Sequence, residues 1–148
     1  MPSIIPSYVY TLFATIIVGT IVVSACGIST LNVRNEFTKQ QLSSLSEYIA
    51  IEGLELIIQT KFNNVTSRLQ LNIPDSIGNQ IYWIRIMNST LKSWVEAGFG
   101  ETPFSSQQRT YIPSKIVASG AYFSGSGQLI LECNSNTTGT YLTISGEN

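Results

Sequence analysis

The first 33 residues of the chain contain no aspartate, glutamate, lysine or arginine. The first charged residue is Arg34, and all eight basic and nine acidic residues lie from there onward. Within the uncharged part, Tyr8–Leu31 also lacks proline, and about 20 apolar residues are enough for a helix to cross a bilayer. The sequence therefore predicts two parts of different character: an apolar N-terminal helix in 1–33 and a polar remainder.

Two uses of this helix are compatible with its sequence. A plain anchor helix would hold the chain in a membrane, whereas an assembly helix would pack against other copies, because small residues permit close approach. A secretory signal peptide is not indicated, since no basic residue precedes the apolar run, although the segment ending at Cys26 resembles a lipobox. The residues expected to face other helices in a filament core are Leu12, Phe13, Ile16, Ile17, Gly19, Ile21, Val22 and Val23.

The helical pattern continues beyond the apolar segment. Residues 34–60 contain no proline and repeat at the three- and four-residue spacing of one helix face. No strong stop signal separates the two segments, so we expect a single helix from about Ser7 to Thr60, roughly 80 Å long at 1.5 Å per residue. The stripe on its second part comprises Leu42, Leu45, Ile49, Gly53 and Leu56.

After Thr60 the pattern changes to the period of two that is typical of β-strands. Short strand-like segments alternate with Gly, Pro and Asn turns, which predicts an α+β fold: a long hydrophobic N-terminal helix followed by an antiparallel β-sandwich-like domain. The expected strands are Gln80–Met87, Lys92–Gly98, Thr110–Ile112, Ser114–Ala118, Gly120–Phe123, Gln128–Cys133 and Thr140–Ser145, with a further alternating segment at Leu69–Ile73.

The expected organisation is therefore an apolar helix in 1–33, its amphipathic continuation in 34–60 and an extracellular β-domain in 61–148. The amphipathic stripe needs an apolar partner within the chain. The strand faces that carry Ile81, Trp83, Leu129 and Leu131, or their alternates, are the predicted partner.

Three N-x-[ST] sequons begin at Asn64, Asn88 and Asn136. Each lies in a predicted loop or at the edge of a predicted strand, where a glycan would fit. Three sequons in a membrane-anchored chain favour an extracytoplasmic location and N-glycosylation. The alternative is a polar surface that is rich in Asn and Thr and carries no glycan.

Composition argues against an enzyme. The chain has no histidine, which excludes His-based acid–base catalysis, Ser-His-Asp systems and His metal sites. A net charge of -1 does not favour nucleic acid as a partner, and no motif indicates a metal or another cofactor. Cys26 and Cys133 are not expected to form a disulfide.

Two further groups of side chains have a more ordinary interpretation than a functional one. Glu52 and Glu55 stand one helical turn apart, but a pair of glutamates is usually part of a solvated helix face rather than glycosidase chemistry. Four aromatic residues are candidates for a sugar-stacking platform, although sheet core is their more frequent role. They are Tyr82, Trp83, Trp94 and Phe99.

The apolar segment Tyr8–Leu31, its continuation to Thr60 and the β-rich remainder with its sequons together resemble archaeal type IV pilin-like proteins, the pilin and archaellin class. The resemblance covers the whole chain as architecture and contains no specific short motif. It implies an extracellular filament in which copies polymerise through a core of helices, with the β-domains and glycans outside and a membrane-anchored state before assembly. Such proteins are made with a leader that ends in a basic residue and Gly, so numbering would start at the mature N-terminus; Ile5 stands where many bacterial members have Glu.

A second hypothesis does not require a filament. The chain would then be a single-pass membrane protein whose extracellular β-domain binds a surface or glycan receptor, or acts as a stator. Neither hypothesis involves catalysis.

Overall fold

A computed structural model describes residues 4–63, 65–101, 103 and 108–147. One helix is followed by seven strands, and the α+β layout is confirmed. The chain divides into two compact units between Phe37 and Thr38. The elements are α1 (Ile4–Asn63), β1 (Ser67–Leu71), β2 (Tyr82–Asn88), β3 (Ser93–Phe99), β4 (Gln108–Ile112), β5 (Val117–Phe123), β6 (Gln128–Asn136) and β7 (Gly139–Glu147).

The helix α1 includes the predicted span from Ser7 to Thr60 as one element. Its sequence has no internal proline beyond the first turn, where proline is tolerated because the backbone N–H there lacks a helical partner in any case. Lys61 lies in the last turn, where a positive charge is favourable next to the helix C-terminus.

The strands form one sheet in the order β1-β6-β7-β5-β2-β3-β4. All neighbouring pairs are antiparallel except β5 and β7, which are parallel. The expected sandwich-like domain is thus one mostly antiparallel seven-stranded sheet. The parallel pair was not predicted from the sequence, because parallel pairing depends on how the chain crosses over rather than on any local pattern.

Strand β5 shows why two short strands were expected in its place. Gly120 lies at its centre with a φ of 109°, a conformation that glycine adopts most readily. A Cβ atom there would collide with the carbonyl oxygen of Ile144. Residues 117–120 pair with β7 and residues 121–123 pair with β2, so the glycine marks a change of partner within one strand.

The core of the second unit lies between the helix residues after Thr38 and one face of the sheet. Leu42, Ile49 and Leu56 are buried in the same cluster as Leu129 and Leu131, which confirms the predicted helix stripe and the predicted face of β6. Gly53 also belongs to this contact, because a Cβ atom on it would lie 3.3 Å from Cδ2 of Leu142.

On β2 the core face is the alternate of the one named first. Tyr82, Ile84 and Ile86 belong to the buried cluster, whereas Ile81 is 46% exposed and precedes the strand. Trp83 is fully buried but lies on the other face of the sheet, because successive residues of a strand point to opposite sides. The sequence did not decide between the faces, since both carry large apolar residues and Arg85 is the one charge that distinguishes them.

Candidate functional site

The apolar part of α1 presents its side chains to the outside. Every side chain that the structure describes between Tyr8 and Phe37 is exposed. The predicted filament-core residues lie there, and Gly19 has nothing within 4 Å of the position a Cβ would take. The exposed fractions are 48% for Leu12, 58% for Phe13, 56% for Ile16, 58% for Ile17, 62% for Ile21, 54% for Val22 and 73% for Val23.

This helix is long and apolar enough to span a membrane. The most apolar 18-residue window has a mean hydropathy of 2.2, and none of it is buried within the chain. A core helix of a globular protein would have its apolar side chains covered. The exposed surface therefore needs an apolar environment that the described residues of the chain do not supply.

Five hydroxyl groups of the same segment are satisfied within the helix. Each of the five donates a hydrogen bond to a backbone carbonyl one turn earlier, so placing the helix in an apolar medium leaves these donors paired. The bonds run from Thr15 to Thr11 and Leu12, from Thr20 to Ile16, from Ser24 to Thr20, from Ser29 to Ala25 and from Thr30 to Cys26, with distances of 2.8–3.0 Å.

Two of the three predicted glycosylation sites can be placed. Asn88 is exposed at the end of β2, where its Oδ1 accepts a hydrogen bond from the backbone N–H of Ala118 at 3.2 Å. Asn136 is exposed before the turn between β6 and β7, and its Oδ1 accepts from the backbone N–H groups of Thr138 and Gly139 at 3.0 and 3.1 Å. Both geometries leave the amide nitrogen, to which an N-glycan is attached, outside these bonds. Asn64 lies outside the described residues.

These two sequons meet at one hollow on the surface. Asn88 and Thr90 of the first sequon line it together with Thr138 of the second, and its volume is about 360 Å³. The pairing of β5 with both β2 and β7 brings these loops together. Glycans at Asn88 and Asn136 would consequently cover the same patch.

The sheet face opposite the core carries a group of charged side chains that sequence reasoning missed. Arg85, Glu96 and Arg109 are direct neighbours across β2, β3 and β4. One guanidinium nitrogen of each arginine lies 2.6 Å from a carboxylate oxygen of Glu96, and Nε1 of Trp94 donates to the same carboxylate at 2.8 Å. The three residues are 11 and 13 positions apart, so only the strand register brings them together.

Glu96 is ionised in this setting. Its side chain is only 3% exposed, and that burial opposes ionisation. The hydrogen bonds from Arg85, Trp94 and Arg109, together with the charge of Arg85, nevertheless hold the pKa of Glu96 below its ordinary value. Charge-assisted hydrogen bonds of this kind are about twice as strong as neutral ones.

Aromatic rings lie among these charges. Arg109 stacks over Trp94 at 5.0 Å and Lys92 lies over Tyr111 at 5.5 Å, and the two rings are 6.3 Å apart. We call Arg85, Lys92, Trp94, Arg109 and Tyr111 the basic aromatic face. Of the residues once grouped as a sugar platform, Trp83 and Trp94 lie on this side of the sheet.

The other two members of that group do not join them. Tyr82 is part of the core cluster, and Phe99 packs against it. Burial raises the pKa of the Tyr82 hydroxyl above its ordinary value, with smaller contributions from Tyr122 and Asp75. Tyr82 and Phe99 thus take the sheet-core role that we expected to be the more frequent one, and the four aromatic residues do not form one platform.

The remaining candidates are ordinary parts of the structure. Cys133 is fully buried in the core, where burial raises the pKa of its thiol, and Cys26 is exposed. Glu55 is exposed on the helix surface, and Glu52 is partly exposed there. Within the described part of the chain, no group of three or more His, Cys, Asp or Glu residues is placed to hold a metal ion.

A scan against protein-family models matched none, and searches of curated proteins and of solved structures found no significant similarity. Function must therefore be argued from the residues of this chain. The apolar helix and the surfaces of the second unit are the features from which to argue it.

Proposed function

We propose that the chain is a structural subunit of an archaeal, type IV pilus-like extracellular filament that polymerises through its N-terminal helix. One observation carries the proposal: an uncharged helical surface, from Tyr8 to beyond Val23, is exposed along its whole length, and its Thr15, Thr20 and Ser24 hydroxyl groups are paired within the helix. Such a surface is stable in a membrane or against identical helices, but not in water.

The proposal includes a membrane-anchored state before assembly and a non-catalytic role afterwards. Burying the helix side chains between copies would contribute about 25 cal/mol per Å² of apolar area. The absence of histidine from the sequence and the β-domain with exposed sequons at Asn88 and Asn136 agree with a glycosylated surface protein rather than an enzyme.

Electron microscopy of sheared cell-surface material tests this function. Fibres that contain the chain are the expected result, whereas recovery only as a detergent-extracted monomer would favour the membrane-anchored binding or stator protein. Val22→Asp supplies a variant for the same assay, because a carboxylate at the centre of an apolar helix costs about 2.5–3.5 kcal/mol. We expect it to reduce fibre yield about 100-fold.

Val22→Leu is the matched control, since it keeps the apolar character of an exposed position. It should assemble as the original chain does. A normal fibre yield from Val22→Asp would contradict the proposed role of the helix.

A further inference from the structure

The second part of α1 has an apolar stripe on the side away from the core. Tyr48, Ile51, Glu55, Ile58 and Phe62 repeat at three- and four-residue intervals, and we call them the outer helix stripe. At 100° per residue this stripe is centred about 140° around the helix from Leu42, Ile49 and Leu56. Its apolar members are 43%, 64%, 47% and 85% exposed.

Acidic side chains lie on and beside the outer helix stripe. Between Gln40 and Phe62 the charged residues are Glu47, Glu52, Glu55 and Lys61. Glu55 belongs to the stripe, and Glu47 and Glu52 flank it on either side, whereas Lys61 donates a hydrogen bond to Ser114. The partners that Glu47 and Glu55 have are neutral, since Ser43 donates to Glu47 and Gln59 donates to Glu55.

The basic aromatic face has the complementary character. It has three bases, Arg85 on β2, Lys92 directly before β3 and Arg109 on β4, and the one acid of these strands is Glu96. Tyr111 on the same face is 55% exposed. Lys115 lies between this face and the hollow of the two sequons, because it lines one hollow with Lys92 and Tyr111 and the other with Asn88 and Thr138.

These two surfaces lie on opposite sides of the second unit. The helix packs on the core face of the sheet, with its outer stripe turned away from that face, and the basic aromatic face is the reverse side of the sheet. When one surface of a copy binds a different surface of the next copy, each end of the assembly keeps one free surface. Such a contact therefore repeats without limit, unless the rotation between successive copies closes the assembly into a ring.

We propose that the outer helix stripe of one copy packs on the basic aromatic face of the next, and that this second contact sets the stacking of the β-domains. The proposal rests on the proposed filament function and adds an interface to it. The partner is another copy of this chain because the charges are complementary: glutamates on and beside the helix stripe, arginines and lysines on the sheet face.

Pairing of like surfaces is disfavoured by the same charges. Two outer helix stripes in contact would oppose glutamates to glutamates, and two basic aromatic faces would oppose arginines and lysines. Each symmetric arrangement would thus place charges of one sign together, whereas the head-to-tail arrangement pairs opposite signs.

Two charge-reversed chains test the contact at full length. The helix-reversed chain carries Glu52→Lys and Glu55→Lys; the sheet-reversed chain carries Lys92→Glu and Lys115→Glu. All four are surface side chains outside the Arg85–Glu96–Arg109 group. We expect each chain alone to give about tenfold less polymer than the original in a sedimentation assay, because attraction becomes repulsion.

An equal mixture of the two reversed chains should recover the polymer. In one contact the basic helix of the helix-reversed chain meets the acidic sheet face of the sheet-reversed chain. In the next contact the acidic helix of the sheet-reversed chain meets the basic sheet face of the helix-reversed chain, so the two chains alternate along the polymer. Glu132→Lys with Asp75→Lys reverses two exposed carboxylates outside both surfaces and is the matched control; it should polymerise normally. Equal melting temperatures in detergent would show that every chain is folded.

The outcomes separate this interface from the proposed function. If the original chain forms fibres, Val22→Asp abolishes them and both reversed chains polymerise normally, the filament stands and the interface is overturned. If only one of the two reversed chains fails, its altered surface contacts something other than the proposed partner surface, and the interface is overturned. If the original chain never polymerises, both proposals are overturned.

Discussion

The two compact units of the chain differ in whether their apolar side chains are exposed or buried. From Tyr8 to Phe37 every described side chain is exposed, although this is the most apolar part of the sequence. From Thr38 onward the helix residues Leu42, Ile49 and Leu56 are buried against the sheet. Hydropathy alone would assign the core to the first region, whereas the structure puts it in the second. Apolar composition therefore shows how much surface must be covered, and the fold shows whether the chain covers it itself.

Polar groups are paired by different means in the two regions. Hydroxyls of the first region bond to the carbonyls of their own helix, as Thr20 does to Ile16. In the second region Ser93 bonds to the carbonyl of Ile116, 23 residues away. A segment with only local hydrogen bonds keeps them when it moves from lipid to protein surroundings, but bonds like that of Ser93 require the sheet to be formed.

The largest expected effect comes from deleting residues 1–33. The remaining chain contains the whole buried cluster, so we expect a folded monomer with β-rich circular dichroism that stays soluble in the absence of detergent. The full-length chain should enter solution only in detergent or as polymer, because its exposed helix has no apolar cover. Ultracentrifugation of the two chains without detergent measures the difference.

The control for the change in chain length is the full-length chain with Ile17→Asp and Val22→Asp. A deletion elsewhere, such as Thr138–Gly139, would disturb a turn of the sheet. The doubly substituted chain has the original length and should be much more soluble than the unaltered one. An unfolded 34–148 fragment, or a full-length chain that is dispersed without detergent, would contradict the division into two regions.

The sequence was sufficient for the helix and insufficient for the surface of the sheet. The absence of charge in residues 1–33 and the spacing of Leu42, Ile49 and Leu56 are local patterns. The structure has a continuous helix over both segments and buries these three residues, as the patterns predict. The approach of Arg85, Glu96 and Arg109 depends on strand register, which a local pattern specifies only weakly when both faces of β2 carry large apolar residues. The spacing of the outer helix stripe is visible in the sequence. That the stripe is exposed follows only from the structure, which shows which side of the helix the sheet covers.

A smaller effect distinguishes buried leucines from exposed ones. Leu142 is fully buried in the core, so Leu142→Ala should lower the free energy of unfolding by about 2–5 kcal/mol. Leu12 is 48% exposed in the apolar helix, and Leu12→Ala should leave the unfolding of the β-domain unchanged. Urea unfolding of the full chains in detergent, followed by tryptophan fluorescence, compares the two. Equal losses would mean that the first region contributes to the folded core.

The smallest expected effect concerns how the free energy of unfolding depends on pH. The first region has Glu36 as its single carboxylate side chain, so sensitivity to mild acid must come mainly from the second region. The pKa of Glu96 is held below its ordinary value by Arg85, Trp94 and Arg109 despite burial, so the ionised group stabilises the fold above the unfolded-state pKa. That contribution is lost as the pH falls through the lower folded-state pKa.

Glu96→Gln should therefore lower the free energy of unfolding by about 1–2 kcal/mol at pH 7, and the difference from the original chain should shrink on acidification. Glu132→Gln changes an exposed carboxylate on β6 and is the control, with a difference near zero at every pH. A Glu96→Gln deficit that stayed constant from pH 7 to about pH 2 would show that shape and packing, rather than the carboxylate charge, hold the basic aromatic face together.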